Sequence, residues 1–176
     1  MNEAIKTILN RRSTRKYTEK QIKDEELETI LEAGRFAPSG MNKQPWHFTV
    51  VQNKEILHKI NEGCKIAMQR SADDKFNAFY NAPTVIIVAC DENVITSQFD
   101  GALALGNMFL AAEALGIGSC WIHAIKFSLE TEVGKSILKD LGIPEGYTVV
   151  GSGAFGYKAM ESQAPPRKEG TVTILK

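Results

Sequence analysis

Several ingredients of common protein chemistries are missing from this chain. Its three cysteines, Cys64, Cys90 and Cys120, stand far apart, odd in number and outside any CxxC spacing. That argues against a disulfide framework or a zinc site and suits a reducing cytoplasm. The three histidines, His47, His58 and His123, show no metal-ligand spacing, and no Ser/His/Asp or Cys/His arrangement is legible. Net charge is missing too, because 21 Lys+Arg balance 21 Asp+Glu. Broad attraction to nucleic acid or to an acidic membrane surface is therefore not expected. The opening MNEAIKTILNRR has charges inside its first apolar stretch and no small-residue cleavage site, so it is not read as a signal peptide. No repeat, linker or second domain is visible. The 176 residues, 43% hydrophobic and 24% charged, fit one domain over 1–176 with a sizeable core.

What is present alternates between helical and strand patterns. Ile5, Ile8 and Leu9 mark a short amphipathic helix. Asp24 is placed to cap a second, whose face is Leu27, Ile30, Leu31 and Gly34. Asn53 caps a third carrying Ile56, Leu57 and Ile60, with Gly63 at its end. Residues 64–80 look helical but uneven, as a mobile cover would. Trp46–Val51, Thr84–Cys90, a short stretch within Ile117–Ala124, Tyr147–Phe155 and Thr171–Leu175 read as strands. Ser128 is placed to cap a last helix with Leu129, Val133, Ile137, Leu138 and Leu141 on one face. Gly101–Ile125 carries only the charge of Glu113, yet Asn107, His123 and four glycines make it a poor membrane span. A buried helix over Ser97–Leu115 followed by a buried strand explains it better. A helix apolar all round must be covered all round, and a partner subunit is expected to supply part of that cover. The class is α+β, helices interleaved with a few strands around one sheet.

Three stretches carry candidate chemistry. Ala37–Trp46, APSGMNKQPW, joins a helix to a strand through a polar, glycine-containing loop. Pro38 ends the helix, Ser39 and Gly40 allow a tight turn, and Pro45 is expected to hold Gln44 extended. Such a loop is a natural ligand holder, although local chemistry alone favours a plain corner. Arg11, Arg12, Ser13 and Arg15 gather three guanidiniums and a hydroxyl within five residues, and Arg167 and Lys168 add two cations. A phosphate monoester suits this set, because charge-assisted bidentate bonds offset its desolvation. By itself a solvated basic turn is the simpler reading. Gly151–Gly156, GSGAFG, matches G-x-G-x-x-G, but no helix and acidic residue follow as a dinucleotide fold requires. Its glycines are expected to let a helix pack close to the sheet. With no visible acid, base, nucleophile or metal set, an enzyme here needs a cofactor to carry its chemistry.

Taken together, these stretches resemble the nitroreductase family of flavin-dependent oxidoreductases. The matching pieces are RRSTRKY at 11–17, EAGRFAPSGMNKQPWHF at 32–48, NAPTVIIVAC at 81–90, LALGNMFLAAEALGIGSCWI at 103–122, LGIPEGYTVVGSGAFGY at 141–157 and PPRK at 165–168. The resemblance implies a central, mostly antiparallel sheet flanked by helices, and a homodimer that exchanges a C-terminal strand and holds two FMN molecules at its interface. Arg11, Arg12 and Ser13 would hold the FMN phosphate and ribityl chain, with Arg167 and Lys168 closing on the phosphate. Arg15 would lie near the pyrimidine edge of the flavin. Pro38, Ser39, Gly40 and Asn42 would reach the flavin from the other subunit, and Trp121, Ile122 and His123 would pass its central ring. Many relatives have glycine where this chain has His123, which either narrows the pocket, donates a proton or simply packs. The implied reaction is ping-pong hydride transfer from NADH or NADPH to a nitroaromatic, quinone or similar acceptor. A same-fold flavoenzyme with another reaction, such as reductive dehalogenation or metabolite dehydrogenation, and a flavin-binding module without turnover are the alternatives.

Overall fold

The computed structural model describes residues 1–71, 74–137 and 140–176. Its centre is β2 (Thr84–Asp91), whose side chains are buried from Thr84 to Cys90. β1 (Trp46–Val51), β3 (Ile117–Ile122) and β4 (Tyr147–Tyr157) complete a sheet of order β1-β2-β4-β3 in which every pairing is antiparallel. Strand side chains alternate between faces. Val85, Ile87 and Ala89 therefore join one core cluster, and Ile86, Val88 and Cys90 the other. A continuous β-branched run is what a strand covered on both faces requires.

The first cluster lies under α3 (Lys54–Ala67), α5 (Ala124–Ser128) and α6 (Glu132–Ile137), through Ile60, Ile125 and Ile137. The second lies under α2 (Asp24–Arg35) and α4 (Ser97–Ala114), through Ile30, Leu105 and Met108. Gly34 permits that contact, since a Cβ there would stand 2.3 Å from the Met108 Cε. α1 (Glu3–Asn10) begins at Asn2, whose Oδ1 accepts the Ile5 N–H at 3.0 Å. No helix among the described residues is long and apolar enough to cross a membrane.

Local expectations fail where side chains have other partners. Asp24 is not the cap of α2 but its first residue, and the Lys23 N–H instead donates to Glu26 Oε2 at 2.9 Å. Gly63 does not end α3, which runs on to Ala67. A Cβ at Gly63 would meet the Ser128 hydroxyl at 2.3 Å, so the glycine serves packing. Ser128 does not cap the last helix, because its hydroxyl donates to the Ile60 carbonyl at 2.8 Å from the end of α5. Thr131 takes over, accepting the Gly134 N–H at 3.1 Å. Leu138, expected on that helix face, lies outside the described residues.

The segment after α3 is not a helical cover, although Ala72 and Asp73 fall outside the described residues. Phe79 is 2% exposed and belongs to the core. Buried Asn61 holds the segment by donating to the Phe76 carbonyl at 3.2 Å and accepting the Ala78 N–H at 2.8 Å. Thr171–Leu175 form no strand with their own sheet, and Val172, Ile174 and Leu175 are exposed. The outer face of α4 is also uncovered, with Phe99 and Leu103 exposed.

Phe79→Ala is expected to lower stability by about 3–5 kcal/mol, the cost of emptying a buried aromatic site. Chemical denaturation at fixed protomer concentration checks it. A mobile cover would lose almost nothing.

Candidate functional site

The cationic segment is attached to the sheet edge. Ser13 forms a parallel bridge with Ser119, and the Thr14 N–H donates to the Ser119 carbonyl at 2.9 Å. Gly118 makes room for this contact, because a Cβ there would stand 2.6 Å from the Thr14 hydroxyl. Tyr17 anchors the far end, its hydroxyl donating to the Thr14 carbonyl at 2.8 Å and lying 3.3 Å from the Ala154 carbonyl. Burial pushes the Tyr17 hydroxyl pKa well up, so it stays a neutral donor.

Arg11, Ser13 and Arg15 are thereby brought around Cys120. Burial raises that thiol's pKa, while Arg15, the Ser13 hydroxyl and Arg11 pull it down. Burial likewise pushes Cys64 up to about 11 and Cys90 up to about 12, so the thiols behave as core groups. The next residues along the strand are Trp121 and Ile122, followed by His123. The structure therefore sets the cations beside the segment expected at a flavin ring. Arg11 reaches to 6.0 Å from the Phe109 ring centroid. Arg12 turns away, donating from Nη1 to the Leu9 and Arg11 carbonyls at 2.7 Å, which closes the end of α1. His123 is exposed, its ring edge-on to Phe127 at 5.4 Å between centroids.

The GSGAFG glycines do not serve a helix in general. Added Cβ atoms would meet the Trp121 ring at Gly151 (2.5 Å), the Phe155 and Phe109 rings at Gly153 (2.5 and 2.8 Å) and Pro83 and Tyr17 at Gly156 (2.8 and 3.0 Å). Of these rings only that of Phe109 comes from a helix. The motif lies wholly within β4, which removes any dinucleotide reading.

The loop after α2 is the second half of the candidate site. Gly40–Asn42 form a single 3-10 turn, with Met41, Asn42 and Gln44 at φ of 50°, 54° and 47°. Gln44 is thus left-handed rather than extended as Pro45 suggested. Its N–H is drawn back onto the Ser39 Oγ at 3.0 Å, while the Pro45 carbonyl is fixed by the Asp91 N–H at 3.0 Å. Three non-glycine residues in this region store strain, which clusters where a backbone must present itself to a ligand. Buried Asp100 stands behind the loop, with Oδ1 accepting the Gly40 N–H at 3.1 Å. Sequence reading missed Asp100, although an acid one turn into a largely apolar helix was a usable signal.

The two halves contact different parts of α4. Gly40 is tied to Asp100 near the start of α4, and Arg11 lies by Phe109 further along it, about 14 Å away along the axis at 1.5 Å per residue. Arg167 and Lys168 lie on the exposed tail, and no hydrogen bond among the described residues joins them to 11–15. A cavity of about 510 Å³ opens elsewhere, between Gln21, Lys54, His58, Asn77 and Phe79, and holds none of the predicted residues. A polar one of about 460 Å³ includes only Arg12 among them.

The fold and its sequence have close counterparts. The sequence profile of the nitroreductase family matches residues 8–157. A nitroreductase with bound FMN from Bacteroides fragilis is 40% identical and superposes with a TM-score of 0.92 over 100% of both chains. One from Desulfitobacterium hafniense, also with bound FMN, is 28% identical with a TM-score of 0.91 over 100% of both chains. An FMN reductase [NAD(P)H] from Bacillus subtilis is 29% identical over 95% of this chain and 70% of its own. With the antiparallel sheet, the cationic sheet edge and the strained loop in place, the chain belongs to the nitroreductase family.

Proposed function

We propose that this chain is an FMN-dependent oxidoreductase that takes reducing equivalents from NAD(P)H and passes them to a nitroaromatic, quinone or similar acceptor. The observation that carries the reading is the edge of β3, where Ser13 pairs with Ser119 and Arg11 and Arg15 act on Cys120, immediately before Trp121–His123. Two guanidiniums and a hydroxyl suit a phosphate monoester, and the strand continuing from them suits the attached ring. When bound, FMN supplies two-electron chemistry that no side chain of this site offers. The chain's own residues bind and orient. Arg11 and Ser13 would hold the phosphate end, joined by Arg12 once it leaves the α1 carbonyls, and by Arg167 and Lys168 from the tail. Arg15 would offset negative charge at the pyrimidine edge, a preorganised effect that costs no reorganisation. A backbone N–H within 121–123 would donate to the ring, and His123 would narrow the face where substrates alternate. Using one face in turn for nucleotide and acceptor would require no separate nicotinamide fold.

The site is completed by a second copy. Pro38, Ser39, Gly40 and Asn42 belong to the half set about 14 Å along α4 from their own chain's cations, and we read them as reaching the partner's site. Phe99, Leu103, Ile5, Ile8 and Leu9 leave α4 and the adjoining α1 with an apolar surface that an isolated chain would expose. Open space beyond Gly106 gives a partner helix room to approach. On the sheet, β3 has its outer edge occupied by the 13–14 segment, whereas among the described residues β1 pairs only with β2. The exposed Thr171–Leu175 of a partner, alternating β-branched and apolar residues, suits that remaining edge.

Mixing purified yellow protein anaerobically with NADH or NADPH is expected to bleach it rapidly. Persistent colour with both nucleotides contradicts the reaction. Arg11→Ala and Arg167→Ala are each expected to weaken FMN about 10–100-fold, since each removes a charge-assisted bond. Unchanged affinity in both, by titration of FMN into the apo-proteins, would mean that these cations are only solvated. Deleting residues 169–176 is expected to weaken the dimer and FMN together. A truncated chain that sediments as a dimer with native FMN affinity excludes the exchanged strand.

A further inference from the structure

We propose that Asp100 is the positioning residue of the cofactor loop, holding residues 39–44 in place through the Gly40 N–H. The proposal rests on the reading that this loop reaches a flavin.

Asp100 is 3% exposed and sits in a helix that otherwise buries apolar side chains. A buried carboxylate is costly unless its oxygens are satisfied. Here they are satisfied by neutral donors. Oδ1 accepts the Gly40 N–H at 3.1 Å and Oδ2 accepts the Thr96 hydroxyl at 2.7 Å. Among the described residues no cation pairs with it. The fold alone would be served as well by an apolar side chain of similar shape. What the carboxylate adds is a fixed acceptor aimed at one loop amide. Thr96 is arranged to the same end. It stands at the N-cap of α4, yet its hydroxyl caps nothing and instead orients the carboxylate.

The loop needs such a hold. Met41, Asn42 and Gln44 all occupy the left-handed region, and strained backbone persists only where its surroundings over-determine it. Three of its bonds are internal: Asn42 N–H to the Ser39 carbonyl, Lys43 N–H to the Gly40 carbonyl, and Gln44 N–H to Ser39 Oγ. These shape the turn without fixing where it sits. Two bonds fix it. The Pro45 carbonyl holds its outgoing end to Asp91, and Asp100 holds its incoming end to α4. Gly40 lies hard against this brace, since a Cβ there would stand 2.4 Å from the Thr96 hydroxyl. The residues expected to reach the cofactor, Ser39, Gly40 and Asn42, are those beside the anchored amide.

The test compares Asp100→Asn, which keeps an acceptor for Gly40, with Asp100→Leu, which keeps the bulk and loses it. FMN affinity is measured by titrating the apo-protein, and amide hydrogen exchange is followed over residues 38–45. Asp100→Leu is expected to loosen FMN about 10-fold or more and to speed exchange in the loop. Asp100→Asn is expected to stay within about 3-fold of the parent affinity, with slow exchange, because its amide oxygen replaces Oδ1. Leucine at wild-type affinity and exchange overturns the proposal. So does asparagine as damaged as leucine, because the acceptor would then not be what matters. Should the leucine variant fail to fold, Thr96→Val carries the same readouts, with faster loop exchange supporting the brace and unchanged exchange overturning it. A parent chain that binds no FMN would overturn the flavin reading, while the exchange comparison would still decide whether Asp100 holds the loop.

Discussion

The hydrogen bond from the Thr14 N–H to the Ser119 carbonyl is the contact on which the candidate site depends. A basic turn in solvent binds nothing in particular, because its side chains pay entropy to converge. Tied to a strand edge, with Gly118 admitting Thr14 and Tyr17 closing the far end, the same residues are held in one place, as the proposed anion site requires. The bond also sets register. It fixes Ser13 opposite Ser119, two residues before Trp121, with Arg11 and Arg15 to either side of Ser13.

α4 then acts as the spacer of the site. Its inner face packs Leu105 and Met108 onto the sheet, its far half carries Phe109 beside Arg11, and its first turn carries Asp100 behind the loop. The exposed Phe99 and Leu103 and the outer edge of β1, unpaired among the described residues, ask for a neighbour for independent reasons. The proposed second copy would meet both needs and bring a loop to each cationic edge.

Much of this was legible in the sequence where one residue type has one common use. The run Thr84–Cys90 announced a doubly covered strand, Asn53 caps α3 with bonds to Glu55 and Ile56 N–H groups, and Trp46–Val51 is a strand over its predicted span. Errors came where a residue had a tertiary partner that no local rule reveals. Ser128 looked like a cap and is a tether for Ile60, and Gly63 looked like a stop and is a packing notch. Gln44 obeyed Ser39 rather than Pro45. In the site, the cationic residues were visible as a cluster, but their attachment to Ser119 was not, because it joins segments over a hundred residues apart. Asp100 was visible as an acid early in an apolar helix, but its bond to Gly40, 60 residues away, was not.

The most direct test of a shared site is complementation between two damaged chains. Arg11→Ala removes a cation from one half, and Gly40→Val displaces the loop of the other, since the space beside Gly40 is filled by Thr96. Each variant dimer then carries one lesion in both sites. Mixed dimers, formed by co-expression and isolated with two affinity tags, place both lesions in one site and none in the other. A site built from two chains predicts that the mixed dimer regains tight FMN at one equivalent per dimer. A mixed dimer that binds FMN no better than either parent variant would contradict it, because each chain would then hold its cofactor alone.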